Sequence, residues 1–167
     1  MRFSHHVPIG ICILWSINLV SITRLVSAEE NPGALSVELQ RVLTGVLTEQ
    51  SKAWNAGELG RFMESYWNSD QLTFSSGGKT LRGWEATKLR YETRYPTPAQ
   101  MGQLSFGDLE MFSLGENAAY VLGRWSLRRQ AGDLEGNFTL VFRKIIGRWL
   151  IVHDHSSLLP KKASKKP

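Results

Sequence analysis

The residues best suited to chemistry lie near the end of the chain, in the segment from Gly147 to Ser157. Side chains alternate along a strand, so this segment predicts one face with Trp149, Ile151, His153 and His155 and another with Leu150, Val152, Asp154 and Ser156. An apolar site would raise the pKa of a carboxyl group and let it act as a general acid or base. Asp154 is therefore the candidate catalytic residue, and the alternative is an ion pair with Arg124 or Arg143.

The two histidines raise the question of a metal site. Two imidazoles and a carboxylate can bind a divalent metal ion. Asp154, however, is predicted to point away from both rings, and the sequence identifies no third ligand. We therefore predict no metal and no cofactor, and we assign His153, His155 and Trp149 to the structure or to an interface.

Aromatic residues with polar atoms indicate a binding pocket. Trp and Tyr carry N–H and O–H groups that need partners when they are buried. A pocket built from them would suit a small, flat, hydrophobic or aromatic molecule, whereas the alternative is that helical spacing places them in the core. The predicted pocket residues are Tyr66, Trp84, Thr87, Tyr91, Trp125 and Asp154.

The hydrophobic pattern predicts the elements that position these residues. Apolar steps of three and four residues indicate helices beginning near Leu35, Leu59 and Trp84, the first ending at Gly57 and the third at Arg94. A short hairpin over 72–81 and a connecting loop over 96–102 precede four long strands, at 103–112, 118–130, 134–146 and 149–157. Short turns between consecutive strands indicate an antiparallel meander, and the fold class is α+β with the helices on one face of a curved sheet.

Such a sheet has two faces with different expected roles. A hollow is expected between the short helices and the inner face, and hollows of this type bind small molecules. The other face also carries apolar residues, which indicates a homodimer that covers it. The apolar residues assigned to this face or its neighbour are Val121, Leu127, Val141, Ile145 and Ile151.

Four segments, in this order and spacing, resemble the nuclear transport factor 2-like superfamily and, within it, the SnoaL-like and ketosteroid-isomerase-like branch: Ala53–Leu59, Leu81–Trp84, Leu114–Ala119 and Gly147–Ser156. The resemblance implies a cone-shaped, curved antiparallel sheet packed against three N-terminal helices, usually dimeric and with one pocket. The last segment is also similar to the end of the association domain of calcium/calmodulin-dependent protein kinase II. Function stays open, because members include isomerases, hydrolases, cyclases and non-catalytic adaptors.

The resemblance also gives meaning to the absence of an acidic residue from one short strand. Isomerases of this superfamily keep their carboxylate base on the short strand after the second helix. The corresponding segment, 72–81, contains no Asp or Glu. Isomerase chemistry with the base at the family's position is therefore not expected, and Asp154 is the remaining candidate.

The N-terminus resembles an export signal. Arg2 and an apolar run from Val7 to Val20 precede the small residues of Val26–Ala28, which predicts a cleavable signal peptide over 1–28 and a periplasmic or secreted protein. The run is short for a membrane span, and an uncleaved anchor is the alternative. Cleavage would remove Cys12, the only cysteine, and leave no membrane span. The remaining parts are a flexible leader (29–34), a single SnoaL-like domain (35–158) and a basic disordered tail (159–167).

The net charge of +5 comes from the ends of the chain. The predicted signal peptide holds two arginines and the last seven residues hold four lysines, so the charge of the body between them is nearly balanced. This is not the charge pattern of a nucleic-acid-binding protein.

These patterns predict an exported, homodimeric domain that binds a small hydrophobic or aromatic molecule. If the domain is an enzyme, it is an isomerase-like or hydrolase-like acid–base catalyst without a metal. The alternative function is a non-catalytic homo-oligomeric assembly module. A closed apolar cavity with a buried Asp154 would favour the first function, and a filled core with an extensive apolar dimer face would favour the second.

Overall fold

The computed structural model of the chain describes residues 35–160. The predicted signal peptide (1–28), the leader (29–34) and the tail from 161 onward lie outside the described residues. None of the helices within 35–160 combines the length and the apolar character that crossing a membrane requires.

Four helices pack on one side of the domain: α1 Val37–Asn55, α2 Leu59–Met63, α3 Trp84–Arg94 and α4 Pro98–Met101. Ser36 caps α1, because its Oγ accepts a hydrogen bond from the Leu39 N–H at 3.2 Å. The prediction of a loop over 96–102 was wrong for α4. Thr97 caps this helix through its side chain, and Pro98 occupies a first-turn position where a missing N–H costs nothing.

The strands form one six-stranded sheet in the order β2-β1-β6-β5-β4-β3. Their bounds are β1 Thr73–Ser76, β2 Lys79–Arg82, β3 Gln103–Ser113, β4 Ala118–Arg128, β5 Leu134–Ile145 and β6 Arg148–Leu158. The predicted antiparallel meander is confirmed for β3 to β6, as is the α+β fold class. The pairing of β1 with β6 is parallel and was not predicted, because local sequence patterns carry no information on contacts between distant strands.

A β-bulge in β6 changes which residues share a face. Val141 of β5 pairs with His153, but the next residue, Phe142, pairs with Ile151, so Val152 is the extra residue. Ile151 and Asp154 therefore both point inward and are 0% and 3% exposed. The prediction that Ile151 and Trp149 share the face of the histidines was wrong, since one inserted residue reverses the alternation.

The core lies between α1, α2 and the inner face of the sheet. Leu43 and Leu47 of α1 are buried and face the same cluster as Val121, Phe142 and Ile151 from the central strands. Val121, Leu127 and Ile151, which the sequence assigned to the second apolar face or its neighbour, belong to this core. The core thus fills one end of the space between the helices and the sheet, and the site lies at the other end, beside β1 and the start of β3.

The turn between β5 and β6 holds a strained residue. Ile146 has a φ of +47° and is 98% exposed. A β-branched residue in the left-handed region costs about 1 kcal/mol or more, whereas Asn tolerates it. Ile146→Asn should therefore raise the free energy of unfolding by about 1 kcal/mol, measured by urea denaturation. Leu114→Asn, which removes an exposed apolar side chain outside the left-handed region, is the control and should give no gain.

Candidate functional site

Between the helices and the sheet lies a cavity of about 120 Å³. Strand pairing arranges the inward residues of its sheet wall in four rows. The deepest row is Phe74, Asp154 and Leu140; the second is Ser76, Ser156 and Phe138; the third is Leu158, Gly136, Trp125 and Phe106; the fourth is Leu127 and Leu104. Consecutive rows are two residues apart along the strands, or about 7 Å.

The helical wall of the cavity is aromatic. Trp54 of α1 contacts Phe62 and Tyr95 edge-to-face, with ring centroids 5.0 Å apart in both pairs. Tyr91 of α3 contacts Phe62 at 5.1 Å and Phe74 at 5.7 Å. Edge-to-face pairs of this kind favour one orientation of each ring, so the contacts between the rings fix the shape of the aromatic wall.

Asp154 is the one carboxyl group among the described residues that lines this cavity. Tyr66 Oη donates to its Oδ2 at 2.8 Å, and Ser156 Oγ donates to its Oδ1 at 2.8 Å. Burial raises the pKa of Asp154 to about 6, although the bonds from Tyr66 and Ser156 act in the opposite direction. The carboxyl group thus changes its charge near neutral pH, which a general acid or base requires.

Two tyrosines extend this hydrogen-bonded group. The hydroxyl oxygens of Tyr66 and Tyr91 are 3.4 Å apart. Burial, and then the charge of Asp154, hold the pKa of Tyr66 well above its usual range, so that the hydroxyl stays protonated and donates to the carboxylate. Tyr91, whose pKa is raised by burial in the same way, can donate to a bound molecule.

The structural alternative for Asp154, an ion pair with an arginine, is not found among residues 35–160. Arg124 Nε lies 3.8 Å from Asp108 and its Nη2 lies 3.6 Å from Glu135. Strand pairing places Arg124 opposite Asn137 on the outer face, away from the cavity. Asp154 instead accepts hydrogen bonds from two neutral hydroxyl groups, and the more distant charges of His155 and Arg90 favour its ionised form only to a lesser degree.

The predicted pocket residues separate into two groups. Tyr66, Tyr91, Trp125 and Asp154 line the cavity. Trp84 and Thr87 lie at the other end of α3, where the Trp84 indole donates to the Met63 carbonyl at 3.0 Å and the Thr87 hydroxyl donates to the Gly83 carbonyl at 2.9 Å. Both donate to backbone carbonyls and neither lines this cavity, because helical spacing does not say which turn of a helix reaches a cavity.

The residues assigned to structure or an interface lie in two places. His153 and His155 lie on the outer face, where the Thr73 hydroxyl is 2.7 Å from His153 Nδ1. Burial, and then the neighbouring His155, lower the pKa of His153. Trp149 packs on the opposite side against the core, beside an open groove next to α1. No three His, Cys, Asp or Glu side chains within 35–160 are grouped as a metal site would require.

Several lining residues were not predicted. Phe74 enters the cavity because it pairs with Asp154, and Phe138 because it pairs with Ser156, and no local signal could have revealed these pairings. Arg90 and Arg94 line it from α3. The sequence did contain a signal for these two arginines. Each directly precedes a tyrosine, Tyr91 or Tyr95, and the two Arg-Tyr pairs are four residues apart, which places them on the same side of a helix.

With this geometry described, comparisons with known proteins can be interpreted. A family model for the SnoaL-like domain matches residues 60–161. An NTF2-like protein of unknown function from Shewanella oneidensis is 39% identical, with a TM-score of 0.69 over 71% of this chain and 98% of that chain. No curated protein matches the sequence significantly.

Two more distant structures share the fold. A proposed scytalone dehydratase from Novosphingobium aromaticivorans is 13% identical, with a TM-score of 0.61 over 74% of this chain and 85% of that chain. A proposed association domain of calcium/calmodulin-dependent protein kinase II from Xanthomonas campestris is 15% identical, with a TM-score of 0.55 over 75% of this chain and 88% of that chain. At this identity both likenesses show the fold alone.

The fold and these matches define a domain of the nuclear transport factor 2-like class. The chain belongs to the SnoaL-like family within that class, as its sequence segments predicted.

Proposed function

We propose that the cavity binds a small, mostly apolar or aromatic molecule and that Asp154 exchanges a proton with it. The observation that carries this proposal is a nearly fully buried carboxyl group that has no ion-pair partner within salt-bridge distance and lines an aromatic cavity. Such an arrangement costs stability, and proteins that keep it commonly use it in a functional site. SnoaL-like domains bind small molecules, which agrees with this function.

The chemistry available to the site is acid–base chemistry. Ionised Asp154 can accept a proton from a bound molecule, and the protonated form can return it to a different atom. Tyr91 can donate a hydrogen bond to an oxygen that gains negative charge during this transfer. Together these steps describe an isomerase-like reaction that uses no metal. In a hydrolase-like reaction Asp154 would instead take a proton from a water molecule that attacks the ligand and would then protonate the leaving group.

The size of the cavity limits the ligand. An apolar cavity of about 150 Å³ accepts benzene, so about 120 Å³ fits roughly one ring. Larger molecules would extend past the mouth, where Ser76 and Leu158 are partly or largely exposed. We therefore expect single-ring compounds to be the smallest ligands that fill the site.

Blocking the mouth should abolish binding. In Ser76→Trp, an indole replaces a small side chain that lines the cavity, and we expect single-ring compounds that raise the Tm of the wild type to lose that effect. Ser105→Trp, with the same exchange on the outer side of β3, should respond as the wild type does. Equal shifts in the wild type and Ser76→Trp would place binding elsewhere, and no shift from a broad panel of single-ring compounds would refute the proposal.

A second candidate function, homo-oligomeric assembly, is supported by the outer face of the sheet. Phe112 stacks on Tyr120 at 4.7 Å, and both lie beside the half-buried Leu122 and Val141. We propose that a second copy of the chain covers this stripe. Sedimentation equilibrium tests it: a dimer that Leu122→Lys dissociates supports the interface, and a wild-type monomer refutes it.

We also propose that the domain acts after export. This rests on the apolar run and the small residues at Val26–Ala28. The mass of the protein recovered from a producing cell tests it, since cleavage after Ala28 predicts a chain that begins at Glu29. An intact N-terminus would contradict cleavage.

A further inference from the structure

We propose that the natural ligand is a small carboxylic acid with an apolar or aromatic ring, and that Arg90 and Arg94 bind its carboxylate. This inference rests on the proposed function, because it names the chemical class of the molecule that occupies the same cavity. It adds two positioning residues that determine specificity without exchanging protons.

The two arginines are four residues apart on α3 and therefore lie on the same side of the helix. Arg90 is half-buried with its guanidinium 4.9 Å from the centre of the Phe74 ring, and Arg94 is exposed with its guanidinium 5.8 Å from the centre of the Tyr95 ring. Both rings line the cavity. Stacking on aromatic rings holds each guanidinium in place and keeps its charge.

Neither guanidinium has a protein partner among residues 35–160. No carboxylate of this part of the chain lies within salt-bridge distance of Arg90 or Arg94. Asp154 is the carboxyl group that the charge of Arg90 influences, since Arg90 acts to lower its pKa without forming an ion pair with it. Neither guanidinium donates a hydrogen bond to a protein acceptor in this part of the chain. Two guanidinium groups at the cavity thus have N–H donors without a protein acceptor. A carboxylate fits such a group, because its two oxygens can accept two parallel N–H hydrogen bonds.

The rest of the cavity fixes the orientation of such a ligand. Ionised Asp154 would repel the acid group, which places the carboxylate beside the two arginines and away from Asp154 and leaves the ring among the aromatic side chains of the cavity. Trp125 supplies a further donor, because its Nε1 is buried and has no hydrogen-bond partner among the described residues. A buried donor of this kind needs an acceptor, and an oxygen of the ligand can provide one.

The test compares 4-fluorobenzoate with 4-fluorobenzamide, which have the same ring and differ in charge near neutral pH. Binding to the full chain is measured by ¹⁹F NMR. We expect the acid to bind at least about tenfold more tightly than the amide, since charge-assisted hydrogen bonds are roughly twice as strong as neutral ones. Arg90→Gln with Arg94→Gln should bring the ratio close to one, by weakening the binding of the acid much more than that of the amide.

Matched variants separate the possible outcomes. Arg143→Gln removes the same charge from an exposed site on β5 and should keep the preference for the acid. The proposal is overturned, while the cavity function stands, if the amide binds as tightly as the acid or if the double variant retains the preference. If neither probe binds, or if Ser76→Trp binds both as the wild type does, the cavity function fails as well.

Discussion

Asp154→Asn should make the protein more stable at about pH 8 than the wild type, by up to about 3 kcal/mol. The reason is that burial raises the pKa of Asp154 from 3.8 to about 6, so that ionisation of this group is harder in the folded than in the unfolded chain. Its contribution to stability is fully present below the unfolded pKa and is lost as the pH rises through about 6. Asparagine keeps the shape of the side chain and never ionises.

The measurement is the free energy of unfolding by urea, at several pH values from about 4 to about 8. The difference between wild type and variant isolates Asp154, because all other titrating groups are common to both. Asp70→Asn changes an exposed carboxyl group and should follow the wild-type profile throughout. Parallel profiles for the wild type and Asp154→Asn would show that the pKa of the Asp154 carboxyl group is not raised.

If a turnover reaction is found, the same variant should slow it by at least about a hundredfold.

Gly136→Ala should destabilise the protein by roughly 3 kcal/mol, at the upper end of the range for overpacking. A Cβ on Gly136 would lie 1.8 Å from the Ser157 carbonyl oxygen and 2.6 Å from Cε2 and Nε1 of Trp125. The carbonyl belongs to the backbone of β6 and cannot move alone, so β6 would shift relative to β5 at the cavity wall. Ligand binding should weaken together with stability.

The natural control is Gly45→Ala. Gly45 lies on the exposed side of α1, and a Cβ there would meet nothing within 4 Å. Alanine in a helix is better than glycine by about 1 kcal/mol, so this variant should be more stable than the wild type. Urea denaturation of both variants provides the comparison. A Gly136→Ala variant as stable as the wild type would mean that the close packing of Trp125 against β5 is not present in solution.

The elements of this fold could be predicted because their signals are local. Apolar residues at helical spacing marked α1, and turn residues around Gly115 and Gly132 separated the strands of the meander. The parallel pairing of β1 with β6 could not be predicted in this way. That pairing sets Phe74 beside Asp154 and thereby builds the deepest row of the cavity.

The candidate site could be predicted in part, and a β-bulge explains why the two faces of β6 differ from the prediction. Asp154 was singled out because it is a carboxyl group within an apolar strand near the end of the chain. The bulge at Val152 then changed its neighbours, since it moved Ile151 to the inner face and left His153 and His155 outside. A prediction that assumes strict alternation of side chains along a strand cannot detect an extra residue in that strand. Val152 has no side-chain feature that marks a bulge.

The central claim is that Asp154 is a buried carboxyl group that titrates near neutral pH in a ligand cavity, and an NMR titration tests it most directly. The ¹³Cγ signal of Asp154 is followed against pH in the free protein and with a saturating single-ring compound. We predict a midpoint at about 6 in the free protein and a higher midpoint in the complex, because the ligand removes the remaining solvent. A midpoint near the ordinary value of about 4, or a signal that no bound compound shifts, would contradict the claim.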